Sequence, residues 1–88
     1  MTRRIFRYEV PIDGKTHEIR LASDPVFIFC RSLLTIEFWV IDRSDGPERS
    51  RFFTVIGTGS DMPPNGTYVG TAVAPDGAYV WHLIEEGL

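Results

Sequence analysis

The sequence predicts an all-β fold: one small domain of about seven short, mainly antiparallel strands, set as a sandwich or partly open barrel. Three observations lead there. Short runs alternate apolar and polar residues with the period of two that a half-buried strand requires. Clusters of Gly, Pro, Asp, Asn and Ser separate those runs at spacings of roughly 8–12 residues. No window carries the 3.6-residue periodicity of an amphipathic helix.

The first strand is expected over Ile5–Val10, with Phe6, Tyr8 and Val10 on one face and Arg7 and Glu9 on the other. Pro11-Ile12-Asp13-Gly14-Lys15 follows, and Asp-Gly is a strong hairpin signal because both turn positions tolerate positive φ. Its expected partner is His17–Leu21, with Ile19 and Leu21 inward. Ser23-Asp24-Pro25 breaks the chain. Val26–Cys30 is apolar throughout, which predicts a strand covered on both faces. Leu33-Leu34 is expected in the short connection that follows, where the sequence also leaves a single helical turn around Ser32-Leu33-Leu34 open. Thr35–Ile41 then sets Ile36, Phe38 and Val40 against Glu37 and Trp39. A polar loop over Asp42–Ser50, turning at Asp45-Gly46-Pro47, leads to a fifth strand at Arg51–Ile56. A sixth strand is expected over Thr67–Ala74, a turn at Pro75-Asp76-Gly77, and a seventh strand over Ala78–Ile84 with a frayed helical turn after it.

A chain of 88 residues buries roughly 60–65% of its unfolded surface, enough for one modest core. Six Phe, three Tyr and two Trp supply rigid material for it. These aromatics are too many for one face of a thin core, so some, Trp39 or Tyr79 among them, are expected at the surface. The formal net charge of −3 disfavours nucleic acid as a partner. Arg3, Arg4 and Arg7 then read as the solvated side of an edge strand. The lone Cys30 allows neither an intrachain disulfide nor a thiolate metal site, and its apolar context makes it a small buried hydrophobe. There is no membrane-length apolar run and no signal-peptide core, which predicts a cytoplasmic protein.

The candidate binding residues are Gly57, Thr58, Gly59, Ser60 and Asp61, a loop set directly after an apolar strand. Glycines there let the backbone approach a ligand closely, and the hydroxyls of Thr58 and Ser60 would donate to it. The same composition also suits a bulge and wide turn between strands. It is not a dinucleotide fingerprint, because Met62 holds the third glycine position and no helix follows. It lacks the Gly-Lys-Ser/Thr end of a P-loop, and Ser60 has no nucleophile elbow around it. His17 and His82 lack metal-ligand spacing, and His82 reads as a half-buried histidine bonded to a neighbouring strand. Glu85 and Glu86 are adjacent, point to opposite faces of a strand, and read as a solvated terminus.

Five blocks carry a resemblance: Ile5-Phe6-Arg7-Tyr8-Glu9-Val10-Pro11, Glu37-Phe38-Trp39, Ile56-Gly57-Thr58-Gly59, Tyr68-Val69-Gly70-Thr71 and Val80-Trp81-His82-Leu83. In this order they resemble a family of small proteins of unknown function found in bacteriophages and actinobacteria. Ser60 stands where many of those relatives carry histidine, so no mechanism that needs an imidazole in the loop carries over. The resemblance implies a phage or phage-derived accessory protein and transfers no activity.

Residues and resemblance together lead to the expectation of a non-enzymatic module acting by binding, without a cofactor, in the host cytoplasm if phage-encoded. Its partner would be a host protein or a small polar or anionic ligand at the Gly57–Asp61 loop. Two other classes stay open. One is a structural protein that self-associates into a homo-oligomer through aromatic edge strands. The other is a metal-dependent hydrolase whose site is assembled by the fold from Asp42, Asp45, Glu48 and Asp61.

Overall fold

Period-two alternation gives each strand one apolar face, and a face can be buried only against another layer. The computed structural model, which describes residues 2–43 and 47–87, meets this demand with two stacked sheets. Its strands are β1 (Arg3–Pro11), β2 (His17–Leu21), β3 (Pro25–Phe29), β4 (Thr35–Arg43), β5 (Arg49–Gly57), β6 (Gly66–Val73) and β7 (Val80–Glu86). Sheet order is β1-β4-β3 in the first and β2-β5-β7-β6 in the second, with every neighbouring pair antiparallel. The two sheets do not close into a barrel, so the expected all-β fold takes its sandwich form. All seven strands lie where the alternation places them, with ends shifted by at most two residues. Among the described residues, no helix is long and apolar enough to cross a membrane.

The core lies between β4, the central strand of the first sheet, and β5, one of the two internal strands of the second. Phe38 of β4 meets Phe53 of β5 across the layers at a centroid distance of 5.3 Å, and Tyr8 of β1 stacks on Phe38 at 5.6 Å. Val10, Ile36 and Val40 join from the first sheet, and Leu21, Val55 and Leu83 from the second, all essentially solvent-free. Each such side chain stabilises the fold by about 1.5–3 kcal/mol on transfer alone. Cys30 belongs to this cluster and is the small buried hydrophobe expected, its thiol donating to Ser32 O at 3.1 Å. Burial pushes its pKa up, which keeps it a neutral thiol.

Several expectations are overturned. β1 and β2 do not form a hairpin: β1 pairs with β4 and β2 pairs with β5 in the other sheet. The Asp13–Gly14 turn does form, with Gly14 at φ 73° and the Lys15 N–H bonded to Asp13 Oδ1 at 2.9 Å. It carries the chain around the edge of the sandwich, because a turn signal fixes local geometry and not which sheet receives the next strand. β3 is an edge strand and not one covered on both faces, with Val26 and Phe27 each 60% exposed. Pro25, which has no N–H to give a ladder, fits that edge position, and a bulge separates it from Phe27. Leu33-Leu34 lies in the short connection expected, and of the options there the chain takes a bend and not a helical turn, with Ser32 Oγ accepting the Leu34 and Thr35 N–H groups. The C-terminal residues Glu85 and Glu86 are strand, not helix. The Asp45–Gly46 turn lies outside the described residues.

On the outer face of the first sheet Glu37 is 3% exposed, clamped by Arg31 at 2.7 Å and Arg7 at 2.9 Å. The Arg31 hydrogen bonds hold its carboxyl below the ordinary range, against the cost of desolvation and with help from Arg7. At the seam between the sheets, Ile28 of β3 packs directly over Gly70 of β6, and a Cβ there would stand 2.4 Å from Ile28 Cδ1. Gly70 also ends the β-bulge that separates it from Tyr68.

Two outcomes follow from these contacts. Gly70→Ala should destabilise the protein by about 1–3 kcal/mol in urea unfolding, and adding Ile28→Val should restore part of the loss. An unchanged midpoint would show that the sheets can part there freely. Because the unfolded chain binds the Glu37 proton more readily than the folded one, stability should fall as pH drops below the ordinary glutamate range. A Glu37→Gln variant should lack that component when urea midpoints are compared across pH.

Candidate functional site

β5 and β6 both run antiparallel to β7, so they are parallel to each other, with β7 between them. Their connection therefore starts at Gly57, opposite Trp81, and must end at Gly66, opposite Glu86, at the far end of β7. At about 3.4 Å per residue that is a journey of roughly 20 Å, within the roughly 27 Å that the 58–65 segment can span, with a few residues to spare for a turn. The glycine loop is thus the first part of a crossover strap laid over the outer face of the second sheet. The Met62 methyl and the Ile84 side chain converge beside Gly66, and Ile84 and Thr54, on that outer face, are buried.

The strap begins with a turn in which the Ser60 N–H donates to Gly57 O at 3.1 Å. Gly59 occupies the third turn position at φ 92°, where a side chain would be strained. The Thr58 N–H donates to Val80 O at 3.3 Å. Thr58 Oγ1 lies 2.8 Å from His82 Nε2, and His82 Nδ1 lies 2.9 Å from Thr71 Oγ1, which in turn bonds the Tyr68 hydroxyl. His82 is the half-buried, strand-bonded histidine read from the alternation. Of the two hydroxyls expected to face a ligand, Thr58's is thus turned into the sheet. Ser60 and Asp61 are exposed.

A hydroxyl 2.8 Å from an imidazole has the spacing of a nucleophile and its base. The surroundings do not complete such a site. The second ring nitrogen meets a threonine and not a carboxylate, and the Thr58 and Ser60 N–H groups, the natural oxyanion donors, are spent on Val80 and Gly57 carbonyls. The cluster's evident effect is to pin the root of the strap to β6 and β7.

Gly57 and Thr58 line a surface groove of about 400 Å³ together with Ala78, Tyr79, Val80 and Trp81. Strand register produces it. Gly57 pairs with Trp81, so a residue without a side chain leaves room for the indole, and a Cβ on Gly57 would meet Trp81 at 3.4 Å. Tyr79 stacks on Trp81 with centroids 5.5 Å apart and planes 19° from parallel. Tyr79 is 57% exposed, as expected of one of the surplus aromatics, while Trp39 is half-buried. Ser60 Oγ stands 3.9 Å from the place of a Gly57 Cβ, on the rim. Among the described residues no arginine or lysine lines the groove. Ala78, Val80 and Trp81 were not among the sequence candidates, since only pairing places them beside the glycine loop. Two smaller cavities of about 260 and 250 Å³ lie along the β3–β6 seam.

The carboxylates expected to meet on loops do not assemble. Asp42 is buried and accepts the Ala22 N–H and the Ser23 hydroxyl, Glu48 and Asp61 are exposed, and Asp45 lies outside the described residues. Among the described residues no group of three or more His, Cys, Asp or Glu is placed to hold a metal ion. Glu85 is not a free terminal charge but grips the buried Arg51 with both oxygens at 2.7 Å, and Asp24 adds a third contact at 2.8 Å. These carboxylates, Glu85 foremost, raise the Arg51 pKa above its ordinary value against the pull of desolvation.

The model of a domain of unknown function, DUF7352, matches residues 1–87, and the chain belongs to that family. No curated protein and no solved structure matches it.

The Thr58–His82 bond yields a direct test. Thr58→Val keeps the shape and removes the hydroxyl, and should cost about 1 kcal/mol while raising amide exchange across residues 58–65. Exchange rates equal to wild type would mean that the strap is held by Met62 and Pro63 alone.

Proposed function

We propose that this DUF7352 protein is a binding module without catalytic chemistry of its own, which holds a small, polar, uncharged ligand with a flat ring face. The observation that carries this reading is the stacked Tyr79–Trp81 pair walling the groove beside Gly57 and Thr58. Aromatic faces take up sugar rings and heterocycles by stacking, and a groove of 400 Å³ suits a ligand of monosaccharide or nucleoside size. The described lining residues carry no cationic side chain, which supports a neutral ligand over the anion that the glycine loop first suggested. The Ser60 hydroxyl and the Asp61 carboxylate would orient the polar edge. The resemblance to bacteriophage proteins supports an accessory role in a host cytoplasm, where such a module sequesters a metabolite or docks on a host protein.

The test is a panel of monosaccharides and nucleosides followed by thermal shift and tryptophan fluorescence. A ligand that quenches Trp81 emission should bind roughly tenfold more weakly to Tyr79→Ala, whose side chain is exposed and can be removed without unfolding the protein. A panel without any shift at millimolar concentration would overturn the reading.

A further inference from the structure

The outer face of the first sheet is the least expected surface of the molecule. Phe27 and Phe29 leave β3 on this face at 60% and 44% exposure. As alternate residues of one strand they stand about 7 Å apart. Trp39 on β4 adjoins Phe27 at 5.7 Å, and Ile5 and Ile41 extend the same face. Arg31 reaches over the Phe29 ring at 5.8 Å. Arg31 and Arg7 share the single carboxylate of Glu37, so the cluster keeps a net positive charge, with the two arginine side chains 65% and 49% exposed. Arg3 adds another charge on the same face of β1. Among the described residues, Glu9 is the one exposed carboxylate on this side, bonded at the margin by Thr35 Oγ1.

We propose that this face binds single-stranded nucleic acid, with bases stacked on Phe27, Phe29 and Trp39 and phosphates held by Arg3, Arg7 and Arg31. Exposed aromatics on a sheet accept unpaired bases of any sequence, and the spacing along β3 matches successive bases of an extended strand. Arginine over an aromatic ring adds cation–π attraction and a planar surface for the next base. The net charge of −3 counts against nucleic acid only if charge is spread evenly. Here Arg3, Arg7 and Arg31 outnumber Glu37 and Glu9 among the described residues of this face, and a phosphate chain feels the local field. A second copy of this chain fits less well, because apposing two such faces brings arginines together. The proposal concerns a different sheet from the Tyr79–Trp81 groove and stands apart from the reading of that groove.

Fluorescence anisotropy with labelled oligothymidylate of about 15 nucleotides tests it on the full chain. Binding should be measurable at about 50 mM salt and weaken steeply toward 200 mM. Phe27→Ala/Phe29→Ala should weaken it at least tenfold. Arg3→Gln should lower the salt slope by about one. Tyr79→Ala should leave it unchanged, which separates this face from the groove. Absence of binding at low salt, equal binding to a matched duplex, or indifference to the phenylalanine pair would each overturn the proposal. So would concentration-dependent association in light scattering that vanishes in the phenylalanine variant without any oligonucleotide binding, since the face would then be an interface between copies.

Discussion

Among the described residues no hydrogen-bonded ladder joins the two sheets, so apart from a few side-chain bonds such as those of Asp42 their facing sides are held by packing. The contact of Phe38 with Phe53 is the centre of that packing, and Ile28 seated on Gly70 is its margin. Dispersion and burial act at short range, and a methyl group misplaced at either point opens the layers. The glycine at position 70 is therefore required by close approach, not by a left-handed turn: Gly14, Gly59 and Gly77 have positive φ, and Gly70 does not.

The same two-layer arrangement dictates the strap. Once β7 takes the place between β5 and β6, their connection has to traverse the sheet, and an extended strap is the shortest way to do so. Its covering of Ile84 turns an outer face into a second, minor core. Its root is fixed by Thr58 and His82, which leaves Gly57 fixed beside Trp81 and keeps the groove open. Structure and candidate function therefore share one segment: Gly59 lets the chain turn, and Gly57 two residues earlier makes space for the indole.

Charge follows an equally local logic. Glu37 and Arg51 are taken out of water only because each has more than one opposite partner within hydrogen-bond distance. A buried charge with such partners restricts which strands can lie together, since a register slip would strand it. Glu85, expected to be solvated, is held in the strand by this requirement.

The amino-acid sequence by itself determined the strands, the buried role of Cys30, the inward faces of β1, β2 and β4, and the engagement of His82 with a neighbouring strand. These depend on alternation and turn chemistry, which act within a few residues. Tertiary structure alone decided that Asp13–Gly14 turns a corner and not a hairpin, and that the apolar β3 is an edge. It also decided that Trp81 lies against Gly57 and that Arg7, Arg31 and Glu37 meet. Each of these is a choice of partner between segments distant in the chain. Local propensity is indifferent to that choice; it is made by which pairing buries Phe38, Phe53 and their neighbours together while leaving no charge alone.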